Sequence, residues 1–153
     1  FMSKPRYFID QLNTTQTVSG LDFGDKTIGI AVSDNSKTIA TPIMTIKRKG
    51  VAKDIKKLLA FFAEYKVGGV VFGLPLSLDG KENERSQKVR IFAKELEKIL
   101  TIKITFYDER YSTDVIYKEL RKNSISRNKI KNKIDQLAAS YILQGFLDNA
   151  KFN

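Results

Sequence analysis

The spacing of the apolar residues changes near residue 50, and this change constrains the fold more than any other feature. Before it, residues 18–23, 27–33 and 39–46 each have the composition of a β-strand, with a turn at Gly24-Asp25-Lys26. Strands that follow one another so closely are typical of an antiparallel meander. After it, helical and strand-like patterns alternate, so the rest of the chain needs crossover connections.

The second part of the chain predicts two further strands and four helices. Apolar stripes at helical spacing cover residues 55–63 and 89–100. The short apolar run at residues 69–74 is typical of a central buried strand, and residues 102–106 alternate as a fifth strand. The last two helices are predicted from Ser112 or Thr113 and from Ile134, with a basic, mobile loop between them at residues 121–133.

The predicted order βββ-α-β-α-β-α-α is that of an α/β protein. We expect a five-stranded mixed sheet in which the first three strands form the antiparallel meander and the helices cover both faces. Residues 17–153 are long enough for a single domain with its own hydrophobic core. Residues 1–16 show no clear period, and we expect them to form a flexible N-terminal extension.

The chain carries a formal charge of +10, with 27 Lys and Arg against 17 Asp and Glu. This excess favours a polyanionic partner, nucleic acid before an anionic membrane, although a lysine-rich composition alone also produces it. No apolar run approaches the ~20 residues that cross a bilayer, and the first residues lack the apolar core of a secretory signal. We therefore expect a cytoplasmic protein with a nucleic-acid partner and no membrane.

The chain contains no cysteine and no histidine. Disulfides, thiolate metal sites and cysteine nucleophiles are excluded, and the commonest general base and zinc ligand are absent too. Any chemistry has to come from carboxylates, lysine, tyrosine or hydroxyl groups, with a hard metal ion as the expected cofactor.

Three acidic residues stand where an acid needs an explanation. Asp22 interrupts a buried strand, where an unpaired carboxylate is costly, unless it caps the turn at Gly24. Glu109 follows the fifth strand beside Asp108, at the end where open α/β sheets bind ligands, and a solvated turn is the alternative. Asp135 opens the last predicted helix, where the helix dipole alone would favour an acid.

Taken together, Asp22, Glu109 and Asp135 are expected to reach one crevice. Such a cluster repels itself unless a cation neutralises it, and carboxylate oxygens select Mg²⁺ or Mn²⁺. Two such ions about 3.5–4 Å apart can activate a water and stabilise the leaving oxygen in a displacement at phosphorus. Asp79 precedes a glycine and reads most simply as a turn former.

Basic residues run towards Asp135, with only Glu119 opposing them, and are expected to hold phosphates. Such contacts supply affinity and position but no choice of sequence. A second cluster is Lys47-Arg48-Lys49, and a solvated surface is the alternative for both clusters. The first run consists of Lys118, Arg121, Lys122, Arg127, Lys129, Lys131 and Lys133.

Five motifs in order resemble the YqgF family, also called RuvX, between residues 20 and 149. Each motif alone is weak, but five in order are specific. The matching segments are Gly20-Leu21-Asp22-Phe23-Gly24 with Ile28-Gly29-Ile30-Ala31-Val32-Ser33-Asp34, Val71-Phe72-Gly73-Leu74-Pro75-Leu76 with Asp79-Gly80, Lys88-Val89-Arg90-Ile91-Phe92, Asp108-Glu109-Arg110-Tyr111-Ser112-Thr113, and Lys133-Ile134-Asp135-Gln136-Leu137-Ala138-Ala139.

The resemblance implies an RNase H-like fold related to the RuvC resolvases. It also implies a nuclease that matures the 5′ end of pre-16S ribosomal RNA, which we prefer, or one that resolves Holliday junctions. Asp22, Glu109 and Asp135 would be the catalytic and metal-binding acids, with Asp108 and Asp79 as alternatives for the second. The residues expected to grip nucleic acid are Lys26, Arg90, Arg110, Lys118, Arg121, Lys122, Arg127 and Lys129.

Two other functions stay open at this point. The same fold could bind nucleic acid without cutting it, in which case Asp22→Asn would leave the function intact. The opening Gly20-x-Asp22-x-Gly24 also resembles the phosphate-binding hairpin of actin-like ATPases, but those proteins place nucleotide between two domains and this chain has room for one. A junction resolvase would be a homodimer, because two symmetric cuts need two sites, whereas an RNA processor could be a monomer.

Overall fold

The computed structural model describes residues 2–110 and 127–151, with the backbone alone for residues 127–132. A single sheet carries helices on both faces, as predicted. None of the described helices combines the length and apolar character needed to cross a membrane. The elements are α1 (Pro5–Asp10), β1 (Thr17–Phe23), β2 (Thr27–Ser33), β3 (Ala40–Lys47), α2 (Val51–Glu64), β4 (Val67–Leu74), α3 (Glu84–Glu97), β5 (Lys103–Asp108) and α4 (Arg127–Ala150).

The five strands lie in the order β3-β2-β1-β4-β5. β1, β2 and β3 pair antiparallel, which confirms the predicted meander, while β4 runs parallel to both β1 and β5. The carboxyl ends of β1, β4 and β5 therefore meet at one edge of the sheet, which we call the carboxyl edge. β3 runs in the same direction as β1, so Lys47 lies at this edge as well.

The two faces of the sheet differ in the size of their side chains. The large-residue face is covered by α2 and α3 and forms the main core. The small-residue face is covered by α4, whose Ala139, Ile142 and Leu143 pack on it. The large-residue face includes Leu21, Ile28, Ile30, Val70, Phe72 and Leu74, and the small-residue face includes Gly20, Gly29, Ala31, Val71 and Gly73.

Glycines let α4 approach the small-residue face more closely than any side chain would allow. A Cβ atom on Gly29 would lie 1.9 Å from the carbonyl oxygen of Asp135, and one on Gly20 would lie 2.7 Å from Cβ of Leu143. Both obstacles belong to the helix itself rather than to the flexible end of a side chain. The backbone around Asp135 is therefore held directly against β2.

The last helix begins earlier than the sequence predicts. α4 starts at Arg127, so the mobile loop predicted for residues 121–133 is wrong for residues 127–133. The apolar pattern marks only the part of a helix that is buried, whereas lysine and arginine also sustain an exposed helical turn. The short helix predicted from Ser112 or Thr113 and the loop at residues 121–126 lie outside the described residues.

The N-terminal segment differs from the flexible extension expected for residues 1–16. Residues 5–10 form α1, and Phe8 is buried, with its ring edge-on to the ring of Phe146 at 5.5 Å. Phe8 also covers Gly69, where a Cβ would lie 2.7 Å from the ring. One aromatic side chain thus anchors a segment that has no apolar period, and a single buried ring leaves no periodic pattern from which the helix could be predicted. The boundary at residue 17 stays a prediction.

Candidate active site

Asp22 lies near the carboxyl end of β1, on the small-residue face. Side chains alternate along a strand, so Leu21 enters the core below α2 and α3 while Asp22 points to the side of α4. Its neighbour across the antiparallel pair is Gly29, the residue against which α4 rests. Asp22 is therefore a partly buried carboxyl group between the sheet and the last helix.

Glu109 follows β5 by one residue, and its backbone N–H donates to the carbonyl of Leu74 at 3.3 Å. Its carboxyl group lies over Gly73, where a Cβ atom would be 2.7 Å from Oε2. Gly73 stands between Asp22 on β1 and Glu109 beyond β5, since its preceding residue, Phe72, pairs with Leu21. The absence of a side chain at Gly73 gives the Glu109 carboxyl its space.

The carboxyl groups of Asp22 and Glu109 share a hydrogen bond. Burial raises the pKa of Asp22 well above its ordinary value, and the charges of Glu109 and Asp135 raise it further. Burial also raises the pKa of Glu109 to about 6, although the charge of Arg85 and the bond from Asp22 oppose this. The shared bond raises the pKa of Asp22 and lowers that of Glu109.

Asp135 is the ninth residue of α4, and the first turn of this helix contains no acid. The interpretation of Asp135 as a favourable acid at a helix start is therefore wrong. Its carboxylate accepts a hydrogen bond from the Thr27 hydroxyl at 2.6 Å, and its charge acts on Asp22. The rigid seat on Gly29 and the bond from Thr27 together fix this third acid.

Glu109 and the two alternatives for the second acid lie in different surroundings. Asp108 holds the Arg110 guanidinium at 2.6 Å and shares no contact with Asp22 or Asp135 among the described residues. Asp79 is exposed in its loop, where its side chain accepts from the backbone N–H of Lys81 at 3.0 Å, as expected for a turn former. The acids whose charges act on Asp22 are Glu109 and Asp135.

The donor chemistry of the cluster fits a hard divalent cation, because Asp22, Glu109 and Asp135 supply carboxylate oxygens alone. Their repulsion, visible in the raised pKa of Asp22, is the kind that a bound cation relieves. Within residues 2–110 and 127–151, however, no group of three acids is arranged closely enough to hold a metal ion without rearrangement. Two of the carboxyl groups are bonded to each other, and the third is bonded to Thr27.

Several basic residues proposed to grip nucleic acid hold other groups. Arg90 makes two bonds of 3.0 Å to Glu82 and lies 4.8 Å from the centre of the Phe106 ring. Arg110 bonds to Asp108 and to the carbonyl of Leu78 at 3.1 Å. Lys26 is exposed in the turn after β1, close to the carboxyl edge. Outside the described residues lie Lys118, Arg121 and Lys122, and the side chains of Arg127 and Lys129.

Arg48, from the cluster Lys47-Arg48-Lys49, has a structural role. Its guanidinium bonds to the buried carboxylate of Asp54 at 3.1 Å and to the carbonyl of Gly24 at 3.2 Å. It also lies 4.4 Å from the centre of the Phe23 ring. Arg48 therefore ties the end of β1 to the start of α2 and braces the strand that carries Asp22.

The sequence interpretation missed Arg85, in the first turn of α3. Its charge lowers the pKa of both Asp22 and Glu109, against the effect of burial. The only available signal was that Arg85 comes a few residues after Asp79-Gly80, which lie in the loop that follows β4. A single arginine among many basic residues carries no mark of its neighbours, so only the fold could identify it.

Comparisons with known proteins agree with this geometry. The model of the RuvX family, described as Holliday junction resolvase, matches residues 16–149. A relative from Paramagnetospirillum magneticum is 44% identical over 145 residues, covering 95% of this chain and 94% of its own. One from Ruegeria pomeroyi is 43% identical over 144 residues, covering 94% of each chain. Both are named "Putative pre-16S rRNA nuclease".

Among solved structures, the resolvase of Fowlpox virus in complex with Holliday junction DNA is similar, with a TM-score of 0.53. The match covers 87% of this chain and 97% of the viral chain, at 16% sequence identity. At that identity the likeness shows the fold alone. It confirms the expected RNase H-like architecture of the RuvC type, with a mixed five-stranded sheet between helices.

Proposed function

The chain belongs to the RuvX family, and we propose that it is a metal-dependent nuclease that hydrolyses phosphodiester bonds in nucleic acid. The observation that carries this proposal is the convergence of Asp22, Glu109 and Asp135 from three separate parts of the fold. Each is held in place by local structure: β1 positions the first, Gly73 makes room for the second, and Gly29 with Thr27 seats the third.

The three acids would hold Mg²⁺ or Mn²⁺, two ions being expected, and the metal would supply an activated water and stabilise charge on the phosphoryl oxygens. The protein supplies a partly buried pocket in which carboxylates are costly without a cation. Thr27 keeps one carboxylate oriented by its hydroxyl. Lys26, exposed in the turn after β1, would contact the substrate backbone, and Arg127 and Lys129, in the first turn of α4, remain proposed contacts.

We prefer precursor ribosomal RNA as the substrate, with the protein acting at the 5′ end of pre-16S RNA. The support is the name shared by the two relatives, each of which is aligned over almost its whole length. Branched DNA is the second candidate, because the family model is described as Holliday junction resolvase. A resolvase would act as a homodimer, whereas an RNA processor could act as a monomer.

The first experiment is cleavage by the purified protein of two labelled substrates, a single-stranded RNA with the 5′ leader of 16S RNA and a four-way DNA junction. Each is incubated with Mn²⁺, Mg²⁺ or EDTA. We expect metal-dependent cutting that disappears in Asp22→Asn and persists in Asp79→Asn, a matched acid-to-amide control in an exposed turn. Tight binding without cutting in any metal would contradict the nuclease proposal and favour a binding module.

A further inference from the structure

Among the arginines whose side chains the structure describes, Arg85 alone has no described carboxylate group within 4.0 Å. The others are matched by an acid on the same element or on a neighbouring one. Those pairs are Arg6 with Asp10, Arg48 with Asp54, Arg90 with Glu82, and Arg110 with Asp108. In the described part of the chain, the exposed guanidinium of Arg85 is therefore not held by a carboxylate, although its charge acts on Asp22 and Glu109.

The position of Arg85 is unfavourable for the helix that carries it. Arg85 lies in the first turn of α3, where the helix dipole favours negative charge and a cation is the wrong sign. The turn is nevertheless held firmly. Asn83 accepts from the N–H of Ser86 at 2.9 Å and donates to the carbonyl of Pro75 at 2.8 Å. Asn83 therefore fastens the start of α3 to the loop that follows β4.

Arg85 lines a crevice of about 80 Å³ at the carboxyl edge of the sheet. One wall is Phe23 and Gly24, the residues directly after Asp22, and another is Pro75, directly after β4. Lys88 also lines it but lies 3.4 Å from the carboxylate of Asp25, so those two charges offset each other. Arg85 supplies the remaining positive charge, and its effect on both Asp22 and Glu109 agrees with this placement.

We propose that Arg85 is a catalytic residue that donates hydrogen bonds to the non-bridging oxygens of the phosphate being cut. The inference rests on the proposed nuclease function. Hydrolysis forms a bond from the water oxygen to phosphorus and breaks the bond from phosphorus to the leaving sugar oxygen, which departs as a hydroxyl with one proton of that water. The phosphoryl oxygens gain negative charge in this step, and a planar guanidinium beside them stabilises it. Arg85 keeps its proton throughout.

The test compares the steady-state cleavage of three variants with that of the full-length wild-type protein in Mn²⁺. We expect Arg85→Ala to lower kcat by about 10²–10³-fold while KM changes by only a few-fold, since the bond strengthens in the transition state. Arg85→Lys should recover part of the loss, because an ammonium retains the charge without the fork of donors. Lys98→Ala removes a charge about 20 Å along the same helix and should stay within twofold of wild type.

The inference is overturned if Arg85→Ala keeps kcat within twofold, or if Lys98→Ala loses as much activity. Thermal unfolding of each variant separates this loss from a loss of folded protein. Should the wild-type protein cut neither substrate, the nuclease function fails and binding of labelled single-stranded RNA decides the role of Arg85. Binding at least tenfold weaker in Arg85→Ala, with Lys98→Ala unchanged, would support the phosphate contact, and equal affinity would refute it.

Discussion

The two faces of the same sheet are built for different purposes. On the large-residue face, Leu21, Phe72 and their neighbours fill the space below α2 and α3 with buried aliphatic and aromatic side chains. On the small-residue face, glycines at positions 29 and 73 leave room instead of filling it, and the backbone of α4 at Asp135 and the carboxyl group of Glu109 occupy part of that room. Adjacent residues of one strand, Leu21 and Asp22, belong to opposite sides of this division.

The difference shows how a small fold accommodates a costly site. Burial of large side chains on one face contributes stability that does not depend on the other face. On the opposite face the close approach of α4 brings Asp135 to the strand acids, and the price is mutual repulsion among partly buried carboxyl groups. Substitutions on the two faces should therefore affect different measured quantities.

The largest effects are expected from the neighbours Leu21 and Asp22. Leu21→Ala leaves a cavity under α2 and α3 and should lower the free energy of unfolding by roughly 2–5 kcal/mol. Asp22→Asn removes a partly buried carboxyl group that neighbouring acids repel and should lower the cleavage rate by about 10³-fold or more, while stability in EDTA at pH 7 stays equal or rises. Urea unfolding and initial cleavage rates, measured on both variants, check the pair.

If the two faces have different roles, Leu21→Ala should mainly lower stability and Asp22→Asn should mainly lower the cleavage rate. A loss of several kcal/mol of stability in Asp22→Asn would mean that the carboxyl group supports the fold. A normal unfolding curve for Leu21→Ala would mean that the large-residue face adjusts to the missing side chain. Either result would show that the two faces of the sheet do not contribute separately to stability and to cleavage.

A second pair of variants probes the two glycines of the small-residue face. Gly29→Ala would place a Cβ against the backbone of Asp135, so α4 has to shift, and we expect a loss of about 1–3 kcal/mol. A Cβ at Gly73 would meet Cδ1 of Ile142 at 2.4 Å and Oε2 of Glu109 at 2.7 Å. Both atoms end flexible side chains, so Gly73→Ala should cost less than half as much.

Cleavage should fall in both glycine variants, since each displaces one of the three acids. Urea unfolding separates them, because only Gly29→Ala obstructs backbone. Equal losses of stability would show that α4 is not held rigidly at Asp135, and would weaken the explanation of how that acid is positioned.

Much of the fold and of the site follows from the sequence. The strand periods predict the meander, and the apolar run from Gly69 to Leu74 predicts the central strand β4. Asp22 attracts notice because an acid within a buried strand needs a partner, and Glu109 because it follows the fifth strand at the end where open α/β sheets bind ligands. The meeting of the strand ends at one edge is then a consequence of parallel pairing.

Other features depend on contacts that no local pattern records. The helical start of α4 at Arg127 is polar, and α1 is anchored by the single ring of Phe8. The sequence cannot distinguish Arg85, whose charge acts on Asp22 and Glu109, from Arg48 and Arg90, which hold structural carboxylates. The role of each arginine depends on the groups that lie beside it, and the fold brings those groups together from distant parts of the chain.

The pH dependence of stability offers a third, smaller effect. The folded pKa of Glu109, about 6, exceeds its ordinary value of 4.5, so the folded protein binds more protons between these values and stability falls as pH rises through them. Glu109→Gln removes this term. In EDTA the variant should gain up to about 2 kcal/mol over wild type above pH 6, and no more than a small part of that near pH 4.

Chemical unfolding at pH 4, 5, 6 and 7 measures this difference. Mg²⁺ at neutral pH should stabilise the wild type more than the variant, since a cation bound to the folded state offsets the repulsion. A stability difference between the two proteins that does not change with pH would show that Glu109 titrates normally in the folded protein.

The smallest expected effect concerns Thr27, which connects β2 to α4 at the carboxyl edge. Its backbone belongs to β2, while its hydroxyl donates to Asp135 at 2.6 Å. Thr27→Val keeps the shape and the strand preference but removes the donor, so Asp135 loses its orientation. We expect cleavage to fall about tenfold and the Mn²⁺ concentration for half-maximal rate to rise, with stability changed by less than about 1 kcal/mol. Thr27→Ser retains a hydroxyl and should recover most of the activity. If Thr27→Val and wild type show the same Mn²⁺ dependence, the hydrogen bond from Thr27 is not needed to position Asp135. The contact of the α4 backbone with Gly29 is then sufficient.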